Sequence, residues 1–179
     1  MALEARLRDY LARDIGRIDP GLSLLAVEHP VPAGRVDLLA RDAHGIVGVE
    51  LKARPYGTDD VCEQLCHYLR VLPRVYFVAP KVKRGVYDGL RDAYGEGRLR
   101  LYEVSPSLAC ARMTPEQLVD ARPFPRIAVP REIPSPLSGT ARSLLHALAV
   151  QGAERLVQDP LARKLLKTYV DHVLRPQRS

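Results

Sequence analysis

Two short apolar segments on either side of a four-residue turn constrain the fold of this chain more than any other feature. Residues 35–41 and 46–52 each have the length and apolar content of a strand, and Asp42-Ala43-His44-Gly45 lies between them. Asp at the first turn position and Gly at the fourth are typical of a type I turn. Strands joined by so short a connection pair antiparallel, so the sequence predicts a β-hairpin here.

Hydrophobic periodicity and turn signals predict the other elements of an α/β fold. They are a helix at 2–14, a strand at 22–27 ended by Pro30, Pro32 and Gly34, a helix capped by Thr58 and running to Val71, a strand at 75–79, a helical region at 84–94 interrupted by Gly89, and a strand at 99–104. This order combines an antiparallel meander with right-handed βαβ crossovers. We therefore expect a mixed β-sheet flanked by helices.

The composition changes after Val104. Seven prolines lie between residues 106 and 136, and within this stretch only residues 114–121 have a helical pattern. Pro-rich chain of this kind wraps over a surface or links modules. Helices are expected again at 141–157 and 161–174. The predicted organisation is a core at 1–105, a Pro-rich wrapping segment at 106–139 and a C-terminal helical extension at 140–179.

Length and composition exclude several classes of protein. The 179 residues are 46% hydrophobic and 27% charged, which allows a buried core and is unlike a disordered chain. No apolar run approaches the ~20 residues that span a bilayer, and the charged N-terminus does not resemble a signal peptide. Three cysteines do not make a disulfide framework. We therefore expect a cytoplasmic protein.

The positive charge is concentrated in the C-terminal part of the chain. Residues 1–105 carry 16 Lys and Arg against 15 Asp and Glu, whereas residues 106–179 carry 11 against 6. The net charge of +6 is compatible with a surface that follows nucleic-acid phosphates, and equally with a solvated basic surface.

Asp37, Glu50 and Lys52 interrupt the hydrophobic pattern of the hairpin. Side chains alternate along a strand, so Glu50 and Lys52 share one face while the apolar residues of 46–52 face the core. A two-residue loop would place Asp37 directly opposite Glu50, with Cβ atoms ~5 Å apart. A three-residue loop with a bulge at Gly45 would shift this register by one, and the same pairing would then need a second irregularity at Gly48.

This residue set suggests metal-dependent phosphodiester hydrolysis. Two carboxylates at that spacing repel each other unless a cation lies between them, and Mg²⁺ prefers such hard oxygen ligands beside phosphates. A metal held by Asp37 and Glu50 would neutralise charge on the phosphate and activate water, and Lys52 would position the water or stabilise developing charge. An ion pair on an exposed sheet face is the structural alternative.

Further residues give the pattern a family resemblance. Gln64 and Tyr68 are four apart on the next predicted helix and share a face. The series Gly-Arg-Val-Asp-Leu-Leu (34–39), Val-Glu-Leu-Lys (49–52) and Gln-x-x-x-Tyr (64–68) resembles the PD-(D/E)xK nuclease superfamily, in particular its RecB-like members. It is most similar to the C-terminal nuclease domain of the NucS/EndoMS family, over about residues 3–104. A looser similarity to small archaeal Holliday junction resolvases covers the same core.

The resemblance implies a restriction-endonuclease-like fold and a Mg²⁺- or Mn²⁺-dependent DNA endonuclease acting in repair or recombination. Branched, single-stranded and mismatched DNA are the candidate substrates. Asp37 and Glu50 would be metal ligands and Lys52 the catalytic lysine, while Gln64 and Tyr68 would support the site. Glu4, on the first helix, would complete the metal shell or be a solvated glutamate. A homodimer is expected from the apolar helices after Thr140 and from junction-cutting relatives.

The chain also departs from the family pattern, and alternatives remain open. Val36 replaces the proline that often precedes the aspartate, and the N-terminal DNA-binding domain of NucS has no counterpart, so mismatch-directed cleavage does not transfer. Glu28 is an alternative extra acid. Cys62 and Cys66 are interpreted as packing residues rather than metal ligands. The second function considered is a catalytically inactive nuclease fold that serves as a DNA-binding or assembly module.

Overall fold

The computed structural model of the chain describes residues 3–32 and 34–130, which lie within Met1–Pro134, the first of two compact units. The helices predicted at residues 141–157 and 161–174 lie outside the described residues.

A six-stranded mixed β-sheet forms the centre of this unit, with its strands in chain order from edge to edge. The strands are β1 (Ser23–Val31), β2 (Gly34–Asp42), β3 (Gly45–Leu51), β4 (Arg74–Ala79), β5 (Leu99–Val104) and β6 (Cys110–Arg112). The pairs β1–β2, β2–β3 and β5–β6 are antiparallel, and β3–β4 and β4–β5 are parallel. The predicted meander followed by βαβ crossovers is confirmed.

Helices flank the sheet, as predicted for an α/β fold. Those in the described residues are α1 (Leu3–Arg13), α2 (Thr58–Val71), α3 (Arg84–Gly89) and α4 (Arg91–Gly95), with short 3-10 helices at Ile15–Arg17 and Pro115–Gln117. The break between α3 and α4 falls just after Gly89, where an interruption was predicted. None of these helices is long and apolar enough to cross a membrane.

The core on one sheet face joins α1 to alternate residues of β3. Leu7 and Leu11 are four apart on α1 and fully buried, and they belong to one hydrophobic cluster with Val47, Val49 and Leu51. Period-two alternation therefore turns Gly48 and Glu50 toward the opposite face, as the sequence pattern predicts.

Helix α2 packs on that opposite face, and Gly48 allows its close approach. A Cβ atom added at Gly48 would lie 2.5 Å from Leu72 Cδ1, at the end of α2, which is closer than atoms can pack. Gly48 pairs regularly with Leu39, so the irregularity considered for this position does not occur. The glycine serves helix–sheet packing instead.

The hairpin has the register that the two-residue loop predicts. Its pairs run from Asp42–Gly45 at the turn to Leu38–Val49, without a shift. The turn is closed on one side by the backbone N–H of His44, which donates to Asp42 Oδ1 at 2.7 Å. Continued by one residue, this register brings Asp37 opposite Glu50.

Two predicted boundaries near the hairpin and α2 are wrong. Strand β1 continues through Pro30, which pairs with Arg35, because β1 is an edge strand and a residue without an N–H is tolerated on its open side. Helix α2 is capped by Gly57 rather than Thr58, which is the first helical residue, and no side chain makes a capping hydrogen bond there.

The Pro-rich segment differs locally from its prediction. Residues 114–121 form only the short 3-10 helix Pro115–Gln117, and β6 was not predicted because three residues carry too little periodicity. Ile127 and Val129 are buried in the same cluster as α1. The buried Lys81 ammonium donates to the backbone carbonyls of Asp120 and Arg122, which attaches the segment to the end of β4.

Candidate active site

The backbone pairing of β2 with β3 ends just before Asp37, and the Asp37 side chain accepts the next hydrogen bond from β3. The last regular pair is Leu38–Val49. One step further, the backbone N–H of Leu51 donates to Asp37 Oδ2 at 2.8 Å. The carboxylate thus replaces a main-chain acceptor, which holds Asp37 against the Glu50-Leu51-Lys52 segment.

Glu50 and Lys52 form a close ion pair at the end of β3. Lys52 Nζ donates to Glu50 Oε1 at 2.6 Å, and Glu50 is only 3% exposed. The Lys52 backbone N–H donates to the carbonyl of Val78 at 2.9 Å, which continues the parallel pairing with β4. The main chain of the lysine is therefore held by the sheet, and only its side chain needs a further support.

Gln64 and Tyr68 provide that support through a chain of hydrogen bonds. Lys52 Nζ donates to Gln64 Oε1 at 3.2 Å, and Gln64 Nε2 donates to the Tyr68 hydroxyl at 3.0 Å. The hydroxyl donates in turn to the backbone carbonyl of Arg35 at 2.6 Å. The spacing of four between Gln64 and Tyr68 places both side chains on one face of α2. These hydrogen bonds from Lys52 through Gln64 and Tyr68 to Arg35, called the relay below, therefore link α2 to β2 and β3.

Gly34 borders this relay. Its φ of +131° is a backbone conformation that residues with a side chain rarely adopt, and a Cβ there would lie 3.8 Å from the Tyr68 ring. The space beside Tyr68 would admit a Cβ, so it is the backbone conformation at the start of β2 that favours glycine in the Gly-Arg-Val-Asp sequence.

Burial and charge repulsion perturb both carboxylates. Burial, together with the nearby charge of Asp37, raises the pKa of Glu50 to about 7. Burial also raises the pKa of Asp37, although the N–H of Leu51 and the positive charges of Lys52 and Arg8 act in the opposite direction. Burial would lower the pKa of Lys52, but the surrounding carboxylates, Glu50 first, outweigh it and raise that pKa.

Helix α1 contributes Glu4 and Arg8 to the same neighbourhood. Glu4 Oε1 accepts the backbone N–H of Ala53 at 3.4 Å, one residue after Lys52. The charge of Glu4 raises the pKa of both Asp37 and Lys52, which shows that it lies near both. Arg8 was missed in the sequence. The signal that was present is its spacing of four from Glu4, which places the two on one face of α1.

Glu28 is held by arginines. Its Oε1 accepts Arg8 Nη1 at 2.5 Å, and its Oε2 lies 3.9 Å from Arg35 Nη1. The carboxylate considered as an extra acid is thus engaged in ion pairs. Its backbone φ of +49° is left-handed, which is uncommon for a residue other than glycine.

The two cysteines of α2 are free thiols. Cys62 Sγ lies 3.9 Å from the carbonyl of Gly85, and a Cβ on Gly89 would lie 3.0 Å from the same sulfur. These contacts are with the neighbouring helix α3. Among residues 3–32 and 34–130, no three His, Cys, Asp or Glu side chains are grouped so as to hold a metal ion.

The donor set at Asp37 and Glu50 nevertheless fits a divalent cation. The buried Glu50 carboxylate adjoins the half-buried carboxylate of Asp37, and burial together with the Asp37 charge raises the pKa of Glu50 to about 7. Mg²⁺ is commonly bound through only one or two carboxylates, with water and substrate phosphates supplying its other ligands. The Asp37–Glu50 pair matches that pattern, and Glu4 lies outside any preformed three-acid cluster.

Comparison with known proteins identifies relatives of this region. Residues 3–96, just over half of the chain, match the family model described as the endonuclease NucS C-terminal domain. The endonuclease NucS of Corynebacterium urealyticum is 43% identical over 79 residues, which is 44% of this chain and 31% of that protein. The endonuclease NucS of Kocuria rhizophila is 45% identical over 86 residues, 48% of this chain and 36% of that protein. The chain thus spans about a third of the length of these relatives.

Two solved structures are also similar. The structure of an EndoMS–dsDNA complex is 28% identical, with a TM-score of 0.39, covering 57% of this chain and 46% of that one. The crystal structure of a repair endonuclease from Pyrococcus abyssi is 24% identical, with a TM-score of 0.43, covering 59% of this chain and 48% of that one.

Proposed function

Because this chain belongs to the family of endonuclease NucS C-terminal domains, we propose that it is a metal-dependent DNA endonuclease that hydrolyses phosphodiester bonds. The observation that supports this most directly is the pair of adjacent carboxylates, half-buried Asp37 and buried Glu50, with Lys52 bonded to Glu50. A protein that only binds DNA has no use for clustered carboxylates at a site meant for a polyanion. We further expect it to be a cytoplasmic homodimer.

Each residue has a separate task in this proposal. Asp37 and Glu50 would hold Mg²⁺ or Mn²⁺, and Glu4 would be a further acidic ligand. When bound, the metal supplies neutralisation of the phosphate charge and a more acidic water. The two carboxylates must be ionised to bind it, and the cation favours that form.

Lys52 is the cationic group next to the reacting phosphate. Its raised pKa keeps it protonated at neutral pH, so it donates hydrogen bonds to the phosphate or to the attacking water and stabilises developing negative charge. Gln64 and Tyr68 do not need to touch the substrate. They hold the ammonium in place, because the relay ends on the main chain of β2.

The test is a cleavage assay on branched, single-stranded and mismatched DNA with Mg²⁺ or Mn²⁺. We expect Asp37→Asn and Lys52→Ala to lose at least about 100-fold in kcat, the range seen when one charge-stabilising group is removed. Tyr68→Phe should lower kcat with little change in KM, since it loosens Lys52 only indirectly. Asp92→Asn, an exposed carboxylate of α4, is the matched control.

Titration calorimetry gives a second readout that is independent of turnover. Wild type should bind Mn²⁺, whereas Asp37→Asn should bind it at least tenfold more weakly. Equal cleavage by wild type, Asp37→Asn and Lys52→Ala would refute the proposal. DNA binding without cleavage in any metal would instead indicate the non-catalytic binding module.

A further inference from the structure

We propose that Arg8 and Arg35, bridged by Glu28, form a subsite for a backbone phosphate of the DNA strand, adjacent to the carboxylate pair. The inference rests on the proposed nuclease function and adds to it the groups that hold the strand. None of these three residues takes part in the relay through its side chain.

Arg8 is the better-fixed member of the pair. Its side chain is only 16% exposed, and Nη1 donates to Glu28 Oε1 at 2.5 Å. Its Nε is buried and has no hydrogen-bond partner among the described residues, with Asp9 Oδ1 3.5 Å away but poorly aligned. A guanidinium can make five donor contacts in a planar fork, and residues 3–32 and 34–130 use only one of those of Arg8.

The direction in which Arg8 points is set by α1 and β1. Glu4, one turn earlier on the same helix face, reaches the N–H of Ala53 beside Lys52. Glu28 lies on β1 between Val27, which pairs with Leu38, and His29, which pairs with Val36. The register therefore places Glu28 beside Asp37, and Arg8 with it.

Arg35 approaches the same carboxylate from β2. Its side chain is 64% exposed, and its Nη1 lies 3.9 Å from Glu28 Oε2. The main chain of Arg35 is fixed, since its carbonyl accepts the Tyr68 hydroxyl at 2.6 Å. The guanidinium of Arg35 is thus exposed, while its main chain is held next to the hydrogen bonds that position Lys52.

Arg8 and Arg35 share the Glu28 carboxylate, and the Asp9 carboxylate, 3.5 Å from Arg8 Nε, is the second acid next to them. Glu28 is 47% exposed, so solvent and ligands can reach it. A phosphate oxygen resembles a carboxylate oxygen in charge and geometry, and arginine binds both through paired N–H groups. An incoming phosphate would take over part of the hydrogen bonding that Glu28 provides in the free protein.

The test measures DNA binding by fluorescence anisotropy in EDTA, which prevents metal-dependent cleavage, over a range of salt concentrations. Loss of one phosphate contact lowers the slope of log K against log salt by about 0.9 for duplex DNA and about 0.7 for a single strand. We expect that decrease for Arg8→Gln and for Arg35→Gln. Arg13→Gln, an exposed arginine of α1, should leave the slope unchanged.

Glu28→Gln should change DNA affinity in the opposite direction to the two arginine variants. Glutamine still accepts a hydrogen bond from Arg8 but carries no charge that competes with phosphate, so DNA affinity should increase several-fold. In cleavage assays the two arginine variants should raise KM more than they lower kcat. The Arg35 side chain is exposed, so Arg35→Gln should not affect folding. Its salt slope therefore tests the subsite even if Arg8→Gln lowers the stability of the protein.

The outcomes separate this inference from the proposed function. If wild type cleaves DNA but Arg8→Gln and Arg35→Gln keep the wild-type salt slope, the subsite is refuted and the nuclease stands. If both arginine variants show the expected decrease in slope but wild type never cleaves DNA, the nuclease is refuted and the subsite stands. A wild-type protein without DNA affinity at low salt would refute both.

Discussion

Replacing Glu50 by glutamine is expected to stabilise the metal-free protein while abolishing its proposed nuclease activity. Glu50 is 3% exposed, and burial and the adjacent Asp37 charge raise its pKa from an ordinary 4.5 to about 7. The folded state therefore disfavours the ionised side chain that the unfolded chain carries above pH 4.5. Glutamine has nearly the same shape, keeps a hydrogen-bond acceptor for Lys52 and has no charge to bury.

The magnitude follows from the two pKa values. One pKa unit corresponds to 1.36 kcal/mol, so a change from 4.5 to about 7 makes the ionised glutamate cost about 3 kcal/mol of folding free energy. The folded-state pKa is the higher one, so this cost is absent below pH 4.5, grows as the pH rises and is complete above pH 7. For a chain of this size, about 3 kcal/mol corresponds to roughly 10 °C in Tm.

Thermal melts of wild type and Glu50→Gln in EDTA, from pH 4.5 to pH 8, measure this difference. The two Tm curves should nearly coincide at the acid end and separate with rising pH, with the variant higher. Mn²⁺ should raise the Tm of wild type more than that of the variant, because it favours the ionised pair. Glu63→Gln, an exposed glutamate of α2, is the control. Parallel curves, or a variant less stable at pH 8, would refute the reasoning.

Two further predictions concern the scaffold. Burial alone would raise the pKa of Asp42, but its hydrogen bonds from Arg74 lower it, so this carboxylate stabilises the fold above its ordinary pKa of 3.8 and that stability is lost as the pH falls. Asp42→Asn should lower the free energy of unfolding in urea by ~3 kcal/mol at pH 7, because it leaves the buried Arg74 without its charged partner. The loss should be smaller at pH 3, and an equal loss at both pH values would contradict this. Gly48→Ala should lower the free energy of unfolding by ~1–3 kcal/mol, because its Cβ would clash with Leu72. Gly95→Ala is the control and should not be destabilising, because a Cβ there would have nothing within 4 Å. Similar unfolding midpoints for both variants would contradict the packing role of Gly48.

The local parts of this protein could be predicted from the sequence because they depend on near neighbours. Alternation along 46–52 places Glu50 on the face opposite the core, and a two-residue turn sets the register that brings it beside Asp37. The spacing of four between Gln64 and Tyr68 is likewise a property of any helix, and it predicts a shared face. The antiparallel pairing of the first three strands and the parallel pairing after them likewise follow from the order of short strands and helices.

Contacts between distant segments were decided only by the tertiary structure. The ion pair of Arg8 with Glu28 depends on where α1 lies on the sheet, and neither residue breaks a local pattern that would reveal it. Strand β1 continues through Pro30 only because it occupies an edge, which is a property of the whole sheet. Lys81 finds carbonyl partners about forty residues away, in a segment whose own periodicity is too weak to predict its path. Local periodicity is encoded residue by residue, whereas such contacts emerge only when the separately predicted elements pack together.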